Sequence, residues 1–132
     1  MIFDLEKKKA VRFEFPGGGW VELKAPTVDD FVRINKATTE YRPFLHEAGG
    51  RTPRVLTQEI PDTDKQAFLY NDCAIVAWGD FFDRNGKEIP CTPENKTVLM
   101  RLEDPTFRDF VTEKLKALGE AEKTAQEETE KN

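Results

Sequence analysis

The run QAFLYNDCAIVAWG, residues 66–79, is the longest apolar stretch of the chain. It is longer than a typical β-strand and contains several alanines, so its pattern predicts one helix over the whole run. Apolar residues lie on nearly all sides of that helix, which places it inside the molecule with other elements packed around it. The run is shorter than the roughly 20 residues that cross a bilayer, and Asp72 interrupts it. We expect it to be the central core helix.

Composition restricts the class of protein. The 132 residues suffice for one domain with its own core. The net charge of −5 argues against nucleic-acid binding, because a phosphate backbone is bound mainly through clustered Lys and Arg. Cys73 and Cys91 do not form a closely spaced pair, which indicates free thiols in a reducing compartment. The N-terminal residues lack the apolar segment of a signal peptide, so we expect a cytoplasmic protein.

Two segments with alternating apolar and polar residues precede the core run. They are residues 10–15 and residues 20–24, and they flank Pro16 and three glycines. This pattern predicts an N-terminal β-hairpin, since glycine readily adopts the positive φ angles of tight turns. A phosphate-binding loop is not indicated, because no Gly-Lys-Ser/Thr follows and the next segment is a strand.

A first helix is predicted to begin at Thr27, which is a good N-cap, and to end or kink near Pro43. Asp29 and Asp30 occupy its first turn, where the helix dipole favours negative charge. Adjacent positions on a helix point about 100° apart, so these carboxylates do not converge on a metal or a substrate. We expect them to be solvated.

Residues 47–61 break the helical pattern with several glycines and prolines. A connection of this length is unusual in a small domain, so we expect a mobile loop. His46 precedes this loop and is the only histidine of the chain. With no second ligand beside it, it makes a poor metal ligand or catalytic base, and a solvent-facing position is expected.

A short second hairpin is predicted over residues 80–89, because Asn85 and Gly86 form the strongest short hairpin-turn signal. The same residues match part of a calcium-binding EF-hand loop. That motif fails, since two of its ligand positions fall on Phe81 and Thr92.

Two more helices follow in the sequence. Thr92 and Pro93 are a typical helix start, and Asp104 with the proline after it opens the second helix. Gly119 is expected to end that last helix. Residues 120–132 are mostly acidic and contain no large apolar side chain, which predicts a flexible acidic tail.

Together these patterns predict an α+β fold in which the N-terminal hairpin packs on three to four helices. One globular domain covers residues 1–119, and the tail covers residues 120–132. The sequence contains no nucleophile–base pair and no cluster of ligand-type residues, so it predicts no catalytic residue, no metal site and no cofactor.

The order of motifs resembles that of the tail assembly chaperones of bacteriophages and prophages. Residues 20–30, WVELKAPTVDD, are similar to the opening of that family, where a short strand leads through a Pro-Thr step into the first helix. Residues 75–96 follow its order of helix, Trp, Asp-x-x-Gly turn, Ile-Pro and Thr-x-Glu-Asn. Leu99 and residues 104–107 also fit, so the likeness covers roughly residues 11–115.

The resemblance implies a non-enzymatic protein of the host cell cytoplasm. Such chaperones bind the tape-measure protein of long-tailed phages, keep its apolar helices soluble and are absent from the finished virion. The family often also makes a longer product by a ribosomal frameshift near the end of the gene, which would add the tail-tube protein as a partner. Neither nucleic acid nor membrane is an expected partner, and self-association is compatible with this role.

A chaperone of this kind needs an exposed apolar groove and enough net charge to keep its complex soluble. Five aromatic side chains near the second hairpin and on the last helix are the candidates for partner binding: Trp78, Phe81, Phe82, Phe107 and Phe110. For each of them the alternative is a place in the core. The alternative function is a structural virion component, such as a tail-tube or head–tail joining subunit, which would carry more strand.

Overall fold

The computed structural model describes residues 1, 9–47, 49–50 and 52–131, with side chains described up to residue 121. Its elements in chain order are β1 (Val11–Glu14), β2 (Trp20–Leu23), α1 (Val28–Thr38), β3 (Thr39–His46), β4 (Arg54–Pro61), α2 (Thr63–Ala74), β5 (Ile75–Gly79), α3 (Pro93–Met100) and α4 (Thr106–Lys131). One antiparallel sheet has the order β1-β2-β5, and β3 pairs with β4 in a separate two-stranded sheet. The α+β fold and the N-terminal hairpin are confirmed.

The predicted central helix is correct only for its first half. Helix α2 ends at Ala74, and the remaining residues form β5, which pairs with β2 so that Trp78 lies opposite Val21. Val76 has no partner in this ladder, so it is the extra residue of a bulge. The bulge shifts the alternation, and Ile75 and Trp78 therefore both face the core.

The core lies between the three-stranded sheet and α4. It consists of buried residues from β2, β5 and α4, namely Val21, Leu23, Ile75, Trp78, Phe107 and Val111. The apolar stripe of α4 continues with Phe110, Leu115 and Leu118, which pack against this cluster. Helix α2 packs against both α1 and α3. The N-terminal hairpin is thus held in place by strand β5, which pairs with β2, and by helix α4, which covers the sheet.

Helix α1 begins as predicted and ends earlier than predicted. The Thr27 hydroxyl accepts the Asp30 N–H, and the Asp30 carboxylate accepts the Thr27 N–H, which is a complete capping box. The helix ends at Thr38, whose hydroxyl donates to the Ile34 carbonyl oxygen. Two consecutive threonines favour extended backbone at this point, and Pro43 lies inside strand β3.

The loop predicted over residues 47–61 is wrong for residues 54–61, which form β4. Eight residue pairs join it to β3, from Thr39 opposite Pro61 to His46 opposite Arg54. We call β3 and β4 together the ribbon. Its strands are about 26 Å long at roughly 3.3 Å per residue. All described residues from 40 to 59, His46 among them, are exposed.

The second hairpin is confirmed as a short one. A single bridge joins Phe82 to Glu88, and the Asp83 N–H donates to the Lys87 carbonyl oxygen at 2.9 Å. The Asp83 carboxylate accepts the backbone N–H groups of Asn85 and Lys87 inside the turn. These bonds explain why this segment keeps its shape with so little strand pairing.

Helix α4 does not end at Gly119 but runs to Lys131. A glycine inside a helix costs only about 1 kcal/mol relative to alanine. The Glu, Ala and Lys residues that follow are strong helix formers and offset that cost. The segment predicted as a flexible acidic tail is therefore helical in its backbone up to Lys131, and Asn132 lies outside the described residues.

Candidate functional site

Four of the five aromatic side chains predicted to bind a partner belong to one connected cluster, and the exception is Phe82. The Phe81 and Phe107 ring centroids are 6.0 Å apart with an edge-to-face geometry, and the Trp78 ring lies 5.9 Å from Phe81 and 6.1 Å from Phe107. Phe15, from the end of the first hairpin, joins the cluster 5.4 Å from Phe81 and 4.9 Å from Phe110. Phe15 is a member that sequence reasoning missed.

Trp78 and Phe107 are part of the core, each with 6% of its surface exposed. The Trp78 indole N–H donates to the Ile89 carbonyl oxygen at 2.8 Å. This bond joins the end of the second hairpin to strand β5. Trp78 therefore holds the hairpin in place from its position in the core. For Trp78 the alternative interpretation, a place in the core, is the correct description of its position.

An open cleft of about 630 Å³ lies next to the cluster. Four segments form it: the turn after β1, the second hairpin, the end of α3 and the start of α4. Its large apolar lining residues are Phe15, Phe81, Phe82, Ile89, Leu99, Leu102 and Phe107. Phe82 is 58% exposed and Leu102 is 43% exposed, so both offer apolar surface to a ligand.

Phe110 does not line this cleft. It is half-buried beside Phe15, and the Lys114 ammonium lies 5.5 Å from the centre of its ring and 5.7 Å from that of Phe13. The structure therefore brings Phe81, Phe82 and Phe107 together at the cleft, buries Trp78 in the core, and places Phe110 beside Phe15 outside the cleft lining.

Gly19 and Asp80 permit the close packing at the cleft, and Gly79 permits strand β5 to pack against Trp20. Gly19 has a φ of +83°, and a Cβ there would lie 2.6 Å from the Phe81 ring. A Cβ on Gly79 would lie 2.5 Å from the Trp20 indole nitrogen. Asp80, at the start of the second hairpin, has a φ of +61°, in the left-handed region that non-glycine residues seldom adopt. This geometry directs the chain from β5 into the hairpin.

The electrostatic character of the cleft is acidic. Among the described residues that line it, Asp80 and Asp104 are acidic and none is basic. The Thr106 hydroxyl and backbone N–H both donate to Asp104, and these bonds lower the pKa of its carboxyl. The cleft therefore combines an aromatic floor with two acidic side chains, and the lowered pKa keeps the Asp104 carboxyl ionised at neutral pH.

No protein-family model matches this chain, and no curated protein or solved structure matches it either. The resemblance to the tail assembly chaperones therefore depends on the residues of the sequence alone. The cleft is the structural feature that corresponds to the exposed apolar groove expected of such a chaperone.

Cys73 and Cys91 are free thiols, and both are partly buried. Burial raises the pKa of the Cys73 and Cys91 thiols, so both are protonated near neutral pH and are poor nucleophiles. Within the part of the chain that the structure describes, no three His, Cys, Asp or Glu side chains cluster as metal ligands. In that same part, no helix combines the length and the apolar character needed to span a bilayer.

Proposed function

We propose that this protein is a tail assembly chaperone of a long-tailed bacteriophage or prophage. It binds apolar helical segments of the tape-measure protein in the host cell cytoplasm and keeps them soluble until the tail is built. The observation that carries this proposal is the open cleft with exposed Phe82 and Leu102 beside the partly buried Phe81 ring. The sequence resemblance supplies the identity of the partner.

The size of the cleft suits the anchoring side chains of a helix. A helix with its side chains is about 10–12 Å across, too wide to enter a space of about 630 Å³. Two or three apolar side chains on one face of a helix can enter it, which is the usual mode of helix-in-groove recognition. Each buried Leu or Phe contributes about 1.5–3 kcal/mol before the costs of association.

One such site gives modest affinity, and a long partner compensates by offering many sites. Several chaperone copies on one tape-measure chain would each cover a short apolar segment. Asp80 and Asp104 at the cleft favour segments flanked by Lys or Arg. The net charge of −5 on each copy helps to keep the assembly in solution.

Co-expression with the tape-measure protein of the same phage or prophage tests the proposal. Phe82→Asp places a carboxylate on the exposed wall of the cleft, and burying it under a partner costs several kcal/mol. We expect the amount of soluble tape-measure protein that co-purifies to fall at least about tenfold, since 1.4 kcal/mol already corresponds to that factor. Leu102→Asp should have the same effect.

Phe31→Asp is the matched control. Phe31 is 49% exposed on α1 and does not line the cleft, so this variant should co-purify like the wild type. Circular dichroism of all three variants checks that the fold is retained. If folded Phe82→Asp and Leu102→Asp still hold the partner, the cleft is not the binding site. Mass spectrometry of purified phage particles tests the alternative, because a structural virion component would be found there.

A further inference from the structure

The ribbon exposes apolar side chains on both of its faces. Phe44 and Leu56 are directly opposite each other and 41% exposed, and the next pair along, Leu45 and Val55, is 68% and 69% exposed. Successive residues of a strand point to opposite faces, so the two pairs lie on different sides of the ribbon. A two-stranded sheet is only marginally stable alone in water. Both facts indicate a sheet that is completed by further strands.

The alternation of hydrogen bonds along the ribbon shows which backbone N–H and C=O groups are not used in pairing β3 with β4. The Asp62 N–H donates to the Thr38 carbonyl oxygen at 2.8 Å, just beyond the base of the ladder. Hydrogen-bonded and non-hydrogen-bonded pairs alternate in an antiparallel ladder, so the even-numbered residues of β4 bond to β3. Pro43 and Pro61 fall in the other class, as expected for residues without an N–H.

It follows that the odd-numbered residues of each strand direct their N–H and C=O groups away from the ribbon. On β3 the central one is Pro43, which has no N–H and interrupts that edge. On β4 they are Val55, Thr57 and Glu59, which have an N–H, and the terminal Pro61, which does not. The ribbon therefore has one blocked edge and one edge that is open to another strand.

We propose that β4 pairs antiparallel with β4 of a second copy of this chain about a two-fold axis. In the register that we propose, Leu56 lies opposite the second copy's Leu56, and Val55 hydrogen-bonds with Thr57 of that copy. The Phe44 and Leu56 side chains of both copies then form one continuous apolar row across four strands. The proposal concerns the ribbon alone and does not depend on the function of the cleft.

Closure favours a second copy as the occupant of this edge, and the charges of β4 permit it. In the proposed register Arg54 lies opposite the second copy's Gln58, so no like charges are directly opposite each other across the two β4 strands. The contact is isologous and uses both open edges at once. Only the edges blocked by Pro43 remain outside, so the sheet stops at four strands and two copies.

Proline substitution tests which edge is used. Thr57→Pro removes an N–H from the centre of the open edge and leaves the bonds between β3 and β4 in place. Tyr41→Pro makes the same change on the blocked edge and is the matched control. By sedimentation over a range of protein concentrations, we expect a wild-type dimer whose Kd rises at least about tenfold in Thr57→Pro and stays within about twofold in Tyr41→Pro.

Cysteine cross-linking tests the register. The two Leu56 residues form a non-hydrogen-bonded pair with Cα atoms about 4.5–5.5 Å apart, which a disulfide can bridge. The two Gln58 residues lie four positions apart along the strands, about 13 Å at 3.3 Å per residue, and cannot be bridged. On mild oxidation, Leu56→Cys should give a covalent dimer, whereas Gln58→Cys and the wild type with its own two cysteines should not. A wild-type chain that remains monomeric, or equal cross-linking of Leu56→Cys and Gln58→Cys, would overturn the proposal.

Discussion

The two sheets of this molecule are both antiparallel, yet different interactions hold them in place. The three-stranded sheet is covered by α4, and Val21, Leu23 and Ile75 are fully buried. The strands of the ribbon are joined by eight residue pairs, whereas β1 and β2 are joined by four. Even so, every described residue of the chain between positions 40 and 59 is exposed.

This contrast separates the pairing of strands from the stability of a sheet. A backbone hydrogen bond contributes only about 0.5–1.5 kcal/mol net, because the unfolded chain bonds to water instead. Burial of apolar surface is the larger contribution to folding. We call the three-stranded sheet and the four helices together the body. We therefore expect the body to determine the stability of the molecule, and the ribbon to affect mainly its association.

Truncating one leucine in each sheet tests this contrast most strongly. Leu23 in β2 is 0% exposed and Leu45 in β3 is 68% exposed. Leu23→Ala should lower the free energy of unfolding by about 2–5 kcal/mol, since it leaves a cavity in a packed core. Leu45→Ala should change it by about 0.5 kcal/mol or less. Urea unfolding followed by tryptophan fluorescence measures both values, and equal losses would show that the ribbon is packed against the body.

One ion pair between helices α2 and α3 and one ion pair on the ribbon offer a second test, with smaller effects on stability. Lys96 is 7% exposed, and its ammonium lies 2.9 Å from the Asp72 carboxylate. Asp72→Ala leaves that buried ammonium without its counter-ion and should cost about 2 kcal/mol, less than for a fully buried pair because Asp72 is partly exposed. Glu40→Ala breaks the Arg42 pair of the ribbon, where both side chains are more than half exposed, and should cost about 0–1 kcal/mol.

A double variant checks the cause of the larger loss. Asp72→Ala combined with Lys96→Met removes both charges, so no buried ammonium remains unpaired. It should recover part of the stability that Asp72→Ala loses. If the double variant loses the sum of two separate effects, the pair is not coupled and the explanation fails.

The sequence predicted helix starts better than it predicted strands, for a physical reason. Thr27 and Thr92, both predicted as helix starts, are N-caps whose side chains accept the N–H of the residue three positions on. Such signals are local, so they can be read from a few neighbouring residues. Whether a segment is a strand depends on a partner that is distant in the chain.

Strand β5 shows this dependence clearly. Residues 66–79 are apolar on nearly all sides, and that pattern fits both a buried helix and a buried strand. Ile75–Gly79 form a strand because they pair with Trp20–Leu23. That pairing cannot be predicted from the residues next to them in the chain. The ribbon was missed for a similar reason, because Pro43 indicated a helix end and the glycines indicated a loop.

For the candidate site, the sequence predicted which aromatic residues are neighbours but not which are exposed. Phe81 and Phe82 are adjacent in the second hairpin, yet Phe81 is half-buried and Phe82 is 58% exposed. Leu102 was not among the predicted site residues, yet it is 43% exposed at the cleft. Exposure depends on how separate segments meet, and the cleft is built from four of them.

The capping box of α1 provides the smallest test, at the element that leads from the body into the ribbon. The Thr27 backbone N–H, with help from its hydroxyl and from Arg33, lowers the pKa of Asp30 from 3.8 to about 2. A carboxyl with a lowered folded-state pKa stabilises the fold above its unfolded pKa, and this contribution is lost as the pH falls from about 4 towards 2.

Asp30→Asn keeps the size of the side chain and removes its charge. Because the Asp30 side chain keeps 19% of its surface exposed, the loss at pH 7 should be only about 1 kcal/mol, and the variant and the wild type should converge as the pH falls through the folded-state pKa of about 2. Asp29→Asn is the control, since exposed Asp29 lies in the same first turn and should change stability by only a few tenths of a kcal/mol. Urea unfolding at several pH values measures both variants. If the two lose stability equally at pH 7, helix-dipole charge and not the capping box is the cause. If Asp30→Asn also weakens the dimer, the ribbon depends on the body more than its exposure indicates.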